Sequence, residues 1–442
     1  MRSTWRQVRS FNGCVRLLLV NQFGINLGFY MLMPYLANHL SAGLGMAAWT
    51  VGLVLGVRTL SQQGMFLLGG TLADRLGYKP MIVLGCALRT VGFVLLGVVD
   101  NLAALLVASV ATGLAGALFN PAVRAYVAAE AGERRVEAFA VFNVFYQAGI
   151  FVGPLVGLAL IAANFQVVCL VAAGVFLSLT ILQARSLPAR PAQHNEPNRP
   201  PGLAGVRADW RQVIGNRAFL LFALAMIGSY ILSSQIYLAL PLQAWRVLGD
   251  AGGDAGSSTL FAVSAIVAVI GQVRLTAWAK NRWSAGRAIA TGLAVMSGAF
   301  LPLVLTAHLS PGGGPVSQVG AVLALAPLLA CTVALAVGTV VAYPFEMDTI
   351  VTLARGRLVA THYGLYNTLS GVGITVGNLA TGAMWDAGRA WHLPALPWIV
   401  LAATGAFCAA AVAALDRTGR LTTTTALATA SVQTVDKAAP VR

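Results

Sequence analysis

Charged side chains make up only 10% of these 442 residues, whereas a soluble domain of ordinary composition carries about 25%. Too few polar groups remain to keep a globular surface in water, so a conventional soluble fold is excluded. Paired cysteines are also missing. Cys14, Cys86, Cys169, Cys331 and Cys408 are scattered through apolar segments without a CxxC spacing, which excludes a disulfide framework or cysteine metal site and leaves them as packing residues. There is no Walker loop and no HExxH, and His39, His194, His308, His362 and His392 fall in loops or at the ends of apolar runs. The pattern therefore offers no enzyme site, no metal and no cofactor. Acids are scarcest of all, 14 against 29 Lys and Arg. The resulting charge of +15 could suit nucleic acid, but the basic residues are spread between apolar runs rather than gathered in one patch.

Apolar length is what the chain has in abundance: 58% of it is hydrophobic, with a mean hydropathy of +0.77. Runs of about 20 apolar residues, the length needed to cross a hydrocarbon core, occupy 15–37, 50–73, 80–99, 102–126, 137–161, 166–185, 218–242, 259–279, 286–307, 318–345, 361–385 and 394–415. The sequence thus predicts an all-α polytopic membrane protein with 12 transmembrane helices. The first run is too long for a signal-peptide core and is expected to remain as an uncleaved helix. Twelve crossings place 23 of the 29 basic residues on one side, with only Arg246 and Arg389 opposite and Arg58, Arg89, Arg124 and Arg274 within spans. The positive-inside rule then puts both termini in the cytoplasm, in a cell (inner) membrane.

Residues 186–215 hold Pro188, Pro191, Pro197, Pro200 and Pro201 among polar residues, a composition expected to form an unpacked cytoplasmic linker. It separates a bundle over 1–185 from a second over 216–416; residues 417–442 are expected to be a disordered cytoplasmic tail. The halves repeat. Trp5-Arg6-Gln7-Val8 recurs as Trp210-Arg211-Gln212-Val213, Tyr30-x3-Pro34 as Tyr237-x3-Pro241, and Asn143-x5-Gly149-x3-Gly153 as Asn367-x5-Gly373-x3-Gly377. A duplicated six-helix unit marks a two-bundle secondary transporter whose substrate binds between the repeats.

Between the second and third runs stands Gly70-x3-Asp74-Arg75-x-Gly77-x-Lys79, which resembles the loop 2/3 signature of the major facilitator superfamily. Gly149-x3-Gly153-Pro154-x2-Gly157 looks like the helix 5 signature of its proton-coupled antiporters, and residues 51–93 are similar to a multidrug-exporter branch of it. The resemblance implies two pseudo-symmetric six-helix bundles, a latch at loop 2/3, and drug efflux by drug:proton antiport. Two departures stand out: Asn21 and Asn120 occupy positions where that family is expected to carry acids.

A proton-coupled carrier needs a group whose affinity for the proton changes with its surroundings. Glu346 and Asp348, just past Pro344, are the candidates, with Asp74 a third; their alternative reading is a hydrated helix end. Asn21, Asn26, Tyr30, Arg58, Gln62, Asn143, Gln147, Gln235, Tyr237 and Asn367 are candidate cavity residues, any of which could instead join helices. Arg89 and Arg124 are interior charges, Arg89 read as a brace or gate. The expected partners are a small amphipathic molecule, protons and lipid, with no nucleic acid and a monomeric chain. A uniporter or symporter of an anionic metabolite is the alternative within transport, and a non-transporting sensor the alternative outside it.

Overall fold

A backbone in hydrocarbon must satisfy its own hydrogen bonds, and each of the twelve apolar runs is accordingly a helix in a computed structural model that describes residues 2–161, 164–188, 202–309 and 318–421. The spanning helices are α1 (Gly13–Asn38), α2 (Ala48–Leu76), α3 (Tyr78–Val98), α4 (Leu102–Ala131), α5 (Arg135–Ile161) and α6 (Phe165–Ser186). The second half contributes α7 (Arg217–Ser234), α8 (Ala239–Lys280), which breaks at Gly249 so that its first part completes the seventh crossing, α9 (Ala285–Gly298), whose crossing continues through Leu301–Thr306, α10 (Gln318–Ala354), α11 (Val359–Ala390) and α12 (Leu396–Arg417). Among the described residues, ten stretches are long and apolar enough to cross a membrane. One of these, Leu102–Ile161, contains both α4 and α5; α11 is not among them because His362, Asn367, Asn378 and several threonines dilute its hydropathy.

Polar residues set where the helices start. The side chains of Asn12, Asn101, Asn164, Asn216 and Ser284 accept hydrogen bonds from the first-turn amides of α1, α4, α6, α7 and α9, each the N-cap role these short side chains favour. Helices α1–α6 form one bundle and α7–α12 the other, and they meet mainly through α2 against α11 and α5 against α8 and α10.

The repeat has a packing basis. A Cβ on Gly149, Gly153 or Gly157 would lie 2.7, 3.0 or 2.1 Å from a backbone oxygen of α1, so the bare glycines let α5 press against α1. Tyr35 closes that seam by donating to the Pro154 carbonyl at 2.7 Å. In the second half, Gly373 and Gly377 of α11 instead make room for the side chains of Ile227 and Ile231 of α7. Such small-residue seams are how helices approach closely without a hydrophobic force between them.

The expectation of an unpacked linker needs correction. Residues 189–201 lie outside the described part, as do 422–442 of the tail, but Gly202–Gly215 form a helix. It folds because Val213 and Asp209 are buried against the bundles, which a count of prolines upstream could not reveal. This linker helix, the α2–α3 turn and both ends of the described chain share one face, hereafter the basic face.

Candidate functional site

The α2–α3 turn organises the basic face. Gly77 adopts φ 96°, a left-handed conformation open to glycine, and reverses the chain in a single residue. Two turns earlier, a Cβ on Gly70 would fall 2.1 Å from the Ala360 carbonyl, so α2 reaches the first turn of α11 only because that position is bare. Helix α11 arrives there uncapped: it follows Leu358 at φ 50°, ψ 40°, with no side-chain cap and no acid in its first turn. Asp74 supplies both from the other bundle. Its carboxylate accepts from the Ala360 amide at 3.1 Å and from the Thr361 amide and hydroxyl, each at 2.7 Å, and it is only 6% exposed. Orphan donors at a helix N-terminus and the positive end of its dipole both favour an anion there.

Further links reinforce the contact. Arg75 donates its Nε to Asp209 of the linker helix at 2.7 Å, and Trp210 donates its Nε1 to the Thr71 hydroxyl at 2.9 Å. Arg135 Nε reaches Asp348 at 2.5 Å, while Lys280 Nζ and Arg134 Nε hold Glu137 at 3.0 and 2.8 Å. Lys79, the last residue of the turn signature, is half-buried. Sequence reasoning missed Asp209, Arg135, Glu137 and Lys280 as partners. The Trp210 repeat was the signal nearest to them, but pairing across 134 to 213 residues leaves no local pattern.

Glu346 and Asp348 part ways although they are two residues apart. Asp348 points at Arg135 with its side chain 20% exposed. Glu346 is 4% exposed and takes a 2.5 Å hydrogen bond from the Tyr366 hydroxyl, with a second from Tyr230. The hydrated-end reading therefore fails for Glu346, because α10 continues past it and α11 covers it. Arg124 of α4 lies close by, bonded to Asn367 Oδ1 at 2.7 Å and to Tyr343. A buried carboxylate, a guanidinium and three tyrosines thus meet about 12 Å from the basic face, eight residues from the end of α10 at 1.5 Å per residue.

Above this layer the candidate cavity residues divide. Tyr30 and Tyr146 share a hydrogen bond beside Tyr237, whose side chain is 57% exposed, and Arg58, Gln62 and Gln147 are half-buried. The others are packing groups, which corrects their assignment to the cavity. Asn21 is fully buried and takes a hydrogen bond from Gln183 of α6. Asn26 donates to the Gln22 carbonyl at 2.7 Å, under Gly149. Asn143 donates to Gln272 of α8 at 2.6 Å and so ties the bundles together. Gln235, fully buried, bonds Ile231 and Asn378 where α7 breaks, and Asn367 is held by Arg124. A polar side chain in a helix facing another helix pairs first with that helix, and the one-residue reading could not see which face was which.

Among the described residues, every hydrogen bond and ion pair that joins the two bundles lies in the half nearer the basic face, the outermost being Thr368 to the Gln63 carbonyl at 3.1 Å. Polar contacts thus hold the two bundles together on the basic face. Arg89 braces the first bundle: 3% exposed, it donates to the Thr112 carbonyl at 2.8 Å and packs over Phe29, Phe119 and Phe176.

The family model described as Major Facilitator Superfamily matches residues 18–378. The chain is 50% identical over 408 residues to an uncharacterised MFS-type transporter of Mycobacterium tuberculosis (strain ATCC 25618 / H37Rv), across 92% of this chain and 94% of that one. It is 30% identical over 393 residues to the multidrug resistance protein MdtH of Cronobacter sakazakii (strain ATCC BAA-894), across 88% and 90% of the two. The solved structure of the human organic anion transporter MFSD10 (TETRAN) shares the fold, with a TM-score of 0.67 at 15% identity over 90% of this chain and 98% of that one.

Proposed function

Because the chain belongs to the major facilitator superfamily, a family of multi-pass membrane transporters, and its described polar inter-bundle contacts gather on one face, we propose that it exports small amphipathic compounds by proton antiport. In this reading the basic face is cytoplasmic, as the placement of Lys and Arg favours, and the space between the bundles opens to the outside. The relatives named as multidrug resistance proteins support the substrate class.

The observation that carries the coupling is Glu346. It is a carboxyl group buried where the bundles meet, held by Tyr366 at 2.5 Å and near Arg124 of the opposite bundle. When the basic face opens, Arg124 of the first bundle moves relative to α10 of the second, so the surroundings of this carboxyl change with the transport state. That is the requirement for exchanging a proton against a substrate. One charge crossing about 100 mV provides about 2.3 kcal/mol, enough to drive a gradient of more than tenfold. Asp74 serves the gate, since its bonds to Ala360 and Thr361 of α11 belong to the closed contact.

The test is efflux of a fluorescent amphipath from cells expressing the protein, with and without a protonophore. Expression should lower retention, the protonophore should abolish the effect, and Glu346→Gln should do the same without it. Retention that expression leaves unchanged would rule out the exporter, and efflux indifferent to the protonophore, or intact in Glu346→Gln, would rule out this coupling.

A further inference from the structure

Two cations in the first bundle have no counter-charge. Arg58 of α2 and Arg89 of α3 hold the same Phe29 ring, their guanidinium carbons 5.3 and 4.9 Å from its centroid. Neither forms an ion pair with any described acid, and the Nε atoms of both are buried without a hydrogen-bond partner. What bonds they make are neutral: Arg58 to Gln62 Oε1 at 3.3 Å and to the Thr59 hydroxyl at 3.0 Å, and Arg89 to the Thr112 carbonyl. Buried charges in proteins are ordinarily paired, because an unpaired one loses its hydration without recompense. Two like charges side by side make the deficit larger.

The bundle is built to hold them together. Gly116 of α4 faces Arg89 and the Gln62 that bonds Arg58, since a Cβ there would meet Arg89 Nη2 at 2.8 Å and Gln62 Cδ at 2.9 Å. Structural bracing accounts for Arg89 but leaves Arg58 unexplained, because Arg58 makes no described bond to another helix. Arg58 is also the accessible member, half-buried and sixteen residues, or about 24 Å, along α2 from Asp74, toward the end away from the basic face. Tyr30, adjacent to Phe29, turns its hydroxyl to Tyr146, so one side of the pair is aromatic and the other cationic.

We infer that Arg58 and Arg89 form a binding site for the carboxylate of an amphipathic organic anion, whose apolar body lies against Phe29 and Tyr30. The inference rests on the carrier reading and narrows it: the cargo bears a negative charge, carried on the first bundle, while the proton is carried by Glu346 on the second. A guanidinium is suited to the task because its planar donors match a carboxylate.

The experiment is calorimetric titration of the full-length protein in phosphatidylcholine nanodiscs with 1-naphthoate and with its uncharged amide, 1-naphthamide. Naphthoate should bind at least about tenfold more tightly, the order expected when a charge-assisted hydrogen bond replaces a neutral one. Arg58→Gln should erase the preference to within about twofold, and Arg58→Lys should keep part of it. Equal binding of acid and amide by the unmodified protein overturns the inference without recourse to any variant. Displacement of naphthoate by phosphatidylglycerol added to the nanodisc overturns it too, by assigning the pair to a lipid headgroup. The two readings fail separately: naphthoate binding without protonophore-sensitive efflux leaves the site and removes the antiporter, whereas efflux without an acid preference leaves the antiporter and removes the site.

Discussion

The turn between α2 and α3 and the turn between α8 and α9 occupy corresponding places in the two repeats, yet they grip the opposite bundle with reversed charges. In the first, the acid is on the turn and the helix it meets is bare: Asp74 caps α11, which has no acid in its own first turn. In the second, the base is on the turn and the helix brings its own acid: Lys280 meets Glu137, in the first turn of α5. Environment differs as much as sign. Asp74 is 6% exposed, whereas the side chains of Lys280 and Glu137 are 39% and 27% exposed. An exposed pair contributes about 0–1 kcal/mol. A buried carboxylate that satisfies three donors is worth several hydrogen bonds to a charged group, about 1.5–3 kcal/mol each before the cost of burial. Duplication supplied two copies of the contact, and only one of them is a lock.

If so, substitutions on the two sides should differ steeply. The largest effect is expected from Gly70→Val, since even a Cβ would overlap the Ala360 carbonyl; the basic face should fail to close and transport should fall to background. Asp74→Asn should reduce efflux by about tenfold, because the amide keeps one acceptor but loses the charge that answers the helix dipole. Asp209→Asn should cost about two- to fivefold, as Arg75 and Asp209 are only 15% and 8% exposed and removing one partner leaves the other unpaired. Lys280→Gln should stay within about twofold. All four are read by initial efflux rate at matched expression. Equal losses in Asp74→Asn and Lys280→Gln would break the comparison, and raising salt sharpens it, since screening should weaken Glu137–Lys280 and spare Asp74.

Much of this architecture is legible in the sequence for a physical reason: hydrocarbon thickness and the cost of bare backbone leave few ways to arrange twelve apolar runs. The glycine seams of α5 and α11 and the role of Gly77 follow from residue type and spacing as well. Pairings across the bundles do not. Nothing local in Asp209 or Trp210 indicates that the linker helix folds back onto Arg75 and Thr71, because those bonds depend on a tertiary approach. The same holds for Asn21 and Asn143, which read as cavity polar groups until their partners Gln183 and Gln272 are seen. Glu346 and Asp348 share a neighbourhood in sequence, and about half a turn of helix sends them to different work.

The central claim is that Asp74, by capping α11 in trans, holds the basic face shut. Spin labels on cysteines at Leu76, exposed at the end of α2, and at Arg355, exposed before α11, report that closure by double electron–electron resonance in an otherwise cysteine-free protein. Asp74→Asn should move a large part of the distance distribution to longer separations, and Lys280→Gln should leave it nearly unchanged. A distribution that Asp74→Asn does not alter would contradict the account.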